Sequence, residues 1–251
     1  MGDWLDLSAR AVFVAGAGGL GAEVVKGFLE VGARVAVMDI DEERLTALRE
    51  SVIGADRLHA FTGDLSAAEP CREAVAEAAK HLDGIEVFVH AVGMNSRDAV
   101  LEVTDETWNT ILTVNLSSAF WLGQAVGRTM CEHGHGRMVF ISSVSGLLAH
   151  RGHAAYAASK GGLNQLVRVM AREWAASGIA VNAVAPGYTE TDLTRAYLDR
   201  PGRRAELTGF VPAGRLGAAD DVVGPILFLA STRARFITGH VLYVDGGRTL
   251  V

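Results

Sequence analysis

The sequence of 251 residues predicts an α/β fold, a doubly wound parallel sheet of about seven strands in a single domain with helices on both faces. Three observations predict it. Short β-branched or apolar runs alternate with longer stretches of helical period. A glycine-rich loop stands between the first such run and the first helical stretch. No Pro/Ser-rich linker, internal repeat or low-complexity tract divides the chain, so one domain over 1–251 is the economical reading.

In order, the predicted strands are 11–15, 34–38, 58–61, 87–91, 137–141, 180–184 and 241–244. Each is an apolar run, as strands covered on both faces require. The predicted helices lie near 20–31, 41–52, 67–82, 105–131, 155–176 and 219–230. Strand, helix, strand in this repetition implies right-handed crossovers. Residues up to about 140 read as the dinucleotide-binding part and 141–251 as the catalytic and substrate part. The segment 188–215 breaks the rhythm with extra helical pieces and reads as a lid over the site.

Composition narrows the function classes. Hydrophobic residues make up 49% and charged residues 21%, which suits a covered sheet and subunit interfaces. A chain of this length buries roughly 70–75% of its unfolded surface, so its core needs neither disulfide nor metal. The net charge of −6 without a Lys/Arg block argues against nucleic acid as a partner. Cys71 and Cys131 have no metal-type or paired spacing, so no metal site is predicted. The acidic start MGDWLDLSAR lacks the apolar region of a secretory signal, and Asp6 spoils a myristoylation motif. The longest apolar run, 222–230, is too short to cross a membrane and contains Gly224 and Pro225. A cytoplasmic protein is expected.

Gly16-Ala17-Gly18-Gly19-Leu20-Gly21 follows the first predicted strand and opens the first helix. This is the GxGxxG of Rossmann-type folds in the setting it requires. The glycines allow a tight turn and close approach of backbone to a pyrophosphate, and the helix start offers unpaired N–H groups. Asp39 closes the second strand, where a carboxylate accepts from ribose hydroxyls and repels a 2′-phosphate. Its neighbours Met38 and Ile40 supply no cation for that phosphate, so NAD is favoured over NADP. Capping of the helix that begins near Asp41 is the other use open to Asp39.

Tyr156 and Lys160 stand four apart, on one face of a helix, with Ser143 thirteen residues upstream of the tyrosine. A free phenol keeps its proton to about pH 10. A cation roughly 5 Å away favours the phenolate by ~3 kcal/mol, or ~2 pK units, which makes general acid–base work near neutrality feasible.

Joined together, these pieces resemble the short-chain dehydrogenase/reductase family nearly end to end. The resemblance rests on Val114-Asn115-Leu116, Ile141-Ser142-Ser143 and Tyr156-Ala157-Ala158-Ser159-Lys160, with Asp64-Leu65 after the third strand and Pro186-Gly187 after the sixth. It continues in Gly214-Arg215-Leu216-Gly217, Phe228-Leu229-Ala230 and Val244-Asp245-Gly246-Gly247. The resemblance implies a tetrad of Asn115, Ser143, Tyr156 and Lys160. In it Tyr156 exchanges the proton, Ser143 holds the substrate oxygen, Lys160 also holds the nicotinamide ribose, and Asn115 supports a relay water. It further implies dinucleotide contacts at Asp64, Leu65, Gly93, Pro186, Gly187 and Thr191, and assembly as a homodimer or homotetramer through the long central helices and the C-terminal stretch. Two features depart from the family. Ala15 stands for the usual threonine before a glycine loop one residue shorter, and His90-Ala91-Val92-Gly93 stands for the usual NNAG. His90 itself reads as a packed strand residue.

The expected substrate walls hold Asn95, Arg97, Ser145, His150, Arg151, His153, Tyr188 and Arg195. One hypothesis is that these cations receive a carboxylate or polyol, which makes the substrate a sugar, sugar acid or other hydroxy acid oxidised with NAD. The plainer alternative is that the arginines are solvated, since Glu190, Asp192, Asp199 and Glu206 are interleaved with them. Rival functions are an NADPH-dependent reductase of 3-oxoacyl thioesters and a catalytically silent dinucleotide-binding protein.

Overall fold

The computed structural model of the chain describes residues 4–251, the side chains at 192 and 193 excepted. Its strands are β1 (Ala11–Ala15), β2 (Arg34–Asp39), β3 (Leu58–Thr62), β4 (Val87–His90), β5 (Gly136–Ile141), β6 (Ile179–Pro186) and β7 (Val241–Val244). They form one sheet in the order β3-β2-β1-β4-β5-β6-β7, and every adjacent pair is parallel.

The apolar strands serve two cores because neighbouring residues point to opposite faces. From β1, Phe13 and Ala15 pack on one side with α3 (Ala68–Leu82), α5 (Ser118–His133) and α6 (Ala154–Trp174). Val12 and Val14 pack on the other side with α1 (Leu20–Glu30), α2 (Glu42–Ser51) and α9 (Ala219–Ala230). Val35 and Val37 oppose Ala36 and Met38 in the same way on β2. A period of two within continuous hydrophobicity is the signature of this sandwich.

Chain direction across the sheet reverses beside β1, which pairs with β2 through Ala15↔Met38 and with β4 through Ala15↔His90. The crevice past the carboxyl ends of β1 and β4 is the place where such sheets accept ligands.

The helix expected over 105–131 forms but is not α-helical throughout. It divides into α4 (Asp105–Leu112), a π-helical turn (Thr113–Ser117) and α5, with the fully buried Asn115 inside the wide turn. A single π turn re-aims a side chain that an α-helix would place elsewhere. β6 runs longer than expected at both ends because it is paired on both sides. Its buried Asn182 is satisfied by donating to the Ile237 carbonyl at 2.7 Å and accepting from the His240 N–H at 3.0 Å. The segment 188–215 holds α7 (Asp192–Leu198) and α8 (Arg203–Gly209), which share a small apolar cluster of Leu198, Leu207 and Leu216. Among the described residues no helix is long and apolar enough to cross a membrane.

Candidate active site

The glycine loop is shaped by backbone that a side chain would obstruct. Gly16 has φ +100°, and a methyl on Gly21 would lie 2.1 Å from the Gly16 carbonyl oxygen. α1 starts from Gly19 without a side-chain cap; the Gly21 N–H donates to the Gly18 carbonyl at 2.9 Å, and the rest of the first turn suits a ligand. Asp39 is 8% exposed and reaches back to the loop, accepting from the Ala17 N–H at 2.7 Å and the Asp41 N–H at 3.0 Å. Asp41, rather than Asp39, caps α2 by accepting from the Arg44 N–H. The immediate sequence neighbours of Asp39, Met38 and Ile40, carry no cation, but the fold brings one from further along the chain. Half a turn into α2, Arg44 returns to within 3.6 Å of the Asp39 carboxylate and lines the same cavity. Asp64 and Leu65 close this side of the cavity, the exposed Asp64 accepting from the Ser66 N–H and hydroxyl.

The expected tetrad assembles at the carboxyl end of the sheet. β5 delivers Ser143, and the first turns of α6 deliver Tyr156 and Lys160 on one face. Ser142, the neighbouring serine, is committed elsewhere, donating to Asn164 Oδ1 at 2.6 Å. Ser143 accepts from the Ser145 N–H at 3.1 Å and is hydrogen-bonded to the Tyr156 hydroxyl. Lys160 is buried and donates to the Ile141 carbonyl at 2.9 Å, with its Nζ 5.8 Å from the centre of the tyrosine ring. Asn115 donates to the Met94 carbonyl and accepts from the Met94 N–H, each at 2.9 Å, and donates to Ser159 Oγ at 3.0 Å.

One expectation about this group is corrected. Lys160 was to draw the tyrosine pKa down, yet burial dominates and holds Tyr156 above its ordinary value. The hydrogen bond with Ser143 opposes that rise, and the Arg97 guanidinium opposes it next. Burial likewise pushes the Lys160 ammonium down to about 8. The lysine points at the Ile141 carbonyl, and its own charge is costly in the same dry environment.

Around these groups lies a cavity of about 1570 Å³, lined by Gly16, Gly18, Gly19, Leu20 and Asp39 at one end and by the tyrosine, Ser143 and Lys160 at the other. That volume exceeds the several hundred Å³ of a pocket for one small ligand and leaves room for a dinucleotide beside a substrate. Gly93, Pro186, Gly187 and Thr191 border the middle, Thr191 at the start of α7. Of the expected substrate residues, Asn95, Arg97, Ser145, His150, Arg151, His153 and Tyr188 line the cavity. Arg195 does not; it is exposed on α7. Gly21 and the buried Asn115 support the lining from behind. Phe210 and Arg248 also line the site, Arg248 lying 5.5 Å from the Phe210 ring and 6.0 Å from that of Tyr188. No spacing rule links positions so far apart in sequence.

His90 is fully buried, as expected of a packed strand residue. Its Nε2 lies 2.9 Å from Ser118 Oγ, which itself donates to the Val114 carbonyl, so the ring nitrogen is the donor. Burial, and secondarily Lys160, push this imidazole down to about 3.

Comparison with known proteins places this geometry. A family model described as enoyl-(acyl carrier protein) reductase matches residues 14–249. The galactitol 2-dehydrogenase (L-tagatose-forming) of Cereibacter sphaeroides is 36% identical over 248 residues, covering 98% of this chain and 96% of that protein. The 3-oxoacyl-[acyl-carrier-protein] reductase of Escherichia coli is 37% identical over 250 residues, covering 98% and 100%. Among solved structures, a gluconate 5-dehydrogenase from Burkholderia cenocepacia in complex with NADP and tartrate superposes with a TM-score of 0.92 at 33% identity, covering 99% and 98% of the two chains. The seven-stranded parallel sheet agrees with these matches, and the chain belongs to the short-chain dehydrogenase/reductase family of oxidoreductases, whose members bind a nicotinamide dinucleotide.

Proposed function

We propose that the chain interconverts a secondary alcohol and a ketone on a polyhydroxylated substrate, a sugar alcohol or sugar acid, using NAD in preference to NADP. The observation that carries the substrate class lies in the cavity wall. Asn95 Oδ1, His150 Nε2 and His153 Nδ1 are buried polar atoms without a hydrogen-bond partner among the described residues. Each such atom costs about 1–3 kcal/mol, which hydroxyl groups of a bound polyol would offset. Burial lowers both imidazoles, His153 to about 4, so both are neutral at neutral pH; His150 Nδ1 is engaged with Ser145 Oγ at 3.0 Å, which leaves its Nε2 for a hydroxyl. Arg97, stacked at 3.7 Å on the Tyr197 ring and electrostatically coupled to Tyr156, adds a cation suited to a carboxylate. The galactitol and gluconate 5-dehydrogenases among the relatives act on polyols and sugar acids by their names.

The residues present fit a dinucleotide: the glycine cradle leaves no space for a Cβ at Gly21, and the uncapped start of α1 suits a pyrophosphate. When bound, the nicotinamide supplies the hydride acceptor or donor. The remaining work falls to side chains of the chain. Ser143 and Tyr156, already hydrogen-bonded to each other, present two hydroxyls to one substrate oxygen. Tyr156, protonated at neutral pH because burial raises it, donates its proton to a carbonyl in reduction and must lose it before oxidation. Asp39 supports NAD because its buried carboxylate faces the loop end of the cavity, whereas the Burkholderia cenocepacia structure holds NADP.

Initial rates with galactitol, gluconate and a 3-oxoacyl thioester, each with both coenzymes, test this reading. Turnover of a polyol or aldonate with NAD at a kcat/KM well above that for the thioester supports it. The second reading, a 3-oxoacyl thioester reductase, draws on the 37% identity to the Escherichia coli enzyme, and a thioester preference with NADPH would establish it instead.

A further inference from the structure

We propose that His59, Glu77 and His81 form a binding site for a divalent transition-metal ion of the zinc class, outside the dinucleotide cavity. His59 lies on β3, the edge strand of the sheet, and Glu77 and His81 stand one turn apart on α3, which packs beside it. None of the three lines the cavity. Helical spacing of four puts the carboxylate and the second imidazole on one face, and the strand brings the first imidazole to meet them.

The three ligand atoms converge, and the short approach of His81 to Glu77 is a hydrogen bond that a bound ion would replace. His81 Nε2 lies 2.9 Å and His59 Nε2 3.5 Å from Glu77 Oε1, and the three ligand atoms are within 4.8 Å of one another. Around a tetrahedral zinc with bonds of about 2.0–2.1 Å, neighbouring ligand atoms stand roughly 3.3 Å apart. Two of the three separations bracket that value. His59 Nε2 is buried and has no hydrogen-bond partner among the described residues, its approach to the carboxylate being too long or too poorly aligned for one. A coordination bond would satisfy this atom.

Protons serve the cluster poorly. The two imidazoles stack face to face with centres 3.3 Å apart and planes 21° from parallel, so two imidazolium charges would repel. An ion between the nitrogens requires the exposed His81 ring to turn out of the stack, a motion the helix surface leaves open. Two imidazoles and a carboxylate select zinc, nickel or copper over magnesium or calcium, with water in the remaining positions. A bound ion would tie β3 to α3, and three residues past His59 β3 runs into Gly63, Asp64 and Leu65 of the cavity wall.

Calorimetric titration of the chelator-treated, dialysed chain with zinc chloride tests the proposal. One saturable site per chain is expected, weakened about 100-fold or more in His81→Ala. It should also weaken in Glu77→Gln and remain unchanged in His135→Ala and His153→Ala. The thermal midpoint of the native chain should rise with zinc, and that of His81→Ala should not. Absence of a saturable site, equal affinity in His81→Ala, or loss of binding in His135→Ala or His153→Ala would overturn it. His81 is on the exposed face of α3, so its variant carries the test even where a His59 substitution fails to fold.

Discussion

The side-chain amide of Asn115 closes a ring with the backbone of Met94, donating to its carbonyl and accepting from its N–H at 2.9 Å each. This pair ties the loop after β4 to the π-helical turn between α4 and α5. Its third bond, to Ser159 Oγ, reaches the helix that carries Tyr156 and Lys160, because Ser159 in turn donates to the Tyr156 carbonyl at 2.7 Å. Asn115 thus acts on the loop and α6 through its amide, in addition to the relay that family resemblance implies for it.

Replacing Asn115 with Ala strands two backbone groups of Met94 in a part-buried place. The expected loss is about 2–4 kcal/mol of stability from the two unsatisfied groups. Urea unfolding measures it, and KM for the substrate should rise together with it because Met94 lines the cavity. A loss below half a kcal/mol would mean that water replaces the amide.

Tyr156→Phe removes the proposed proton carrier while leaving the ring in place. We expect kcat to fall by about 10²–10⁴ with dinucleotide affinity unchanged, as general acid–base residues behave. In the native chain the raised tyrosine pKa sets the pH dependence. Reduction uses the protonated phenol and holds its rate up to alkaline pH, whereas oxidation needs the deprotonated phenol and accelerates as pH rises from 7 towards 10. Rates measured in both directions across that range check the sign.

His90 predicts acid lability. Its folded-state pKa of about 3 lies below the 6.5 of the unfolded chain, so the unfolded state binds more protons between those values. The stability contribution is therefore complete above pH 6.5 and is lost as pH falls towards 3. Between pH 7 and pH 4.5 the loss from this ring alone is about 2.5 kcal/mol. His90→Asn should lose less stability over that interval by this amount, read from urea midpoints at the two pH values. Parallel pH dependence in the two chains would remove His90 from the account.

Asp39→Ser should shift coenzyme preference. It removes a carboxylate that would repel a 2′-phosphate and releases Arg44, 3.6 Å away, to attract one, while serine can still accept from the Ala17 N–H. Removing one negative charge and freeing the existing Arg44 cation corresponds to roughly a tenfold or greater rise in the NADP-to-NAD ratio of kcat/KM. An unchanged ratio would show that Asp39 does not face the ribose.

How far the chain could be read before folding follows from the reach of each interaction. The strands, the glycine loop and the Ser143, Tyr156 and Lys160 spacing were readable because each depends on periodicity or on neighbours within one or two turns. The π turn around Asn115 was not, since it arises where an amide meets the backbone of Met94 twenty-one residues earlier. The return of Arg44 to Asp39, the stacking of His59 on His81 and the partnerless polar atoms around the cavity likewise depend on elements converging in space. The protonation of Tyr156 shows the difference most clearly. Local spacing predicted a cation beside Tyr156 and hence a lowered pKa, but Lys160 turns to the Ile141 carbonyl, and burial, which only the packed fold sets, holds the phenol above its ordinary value.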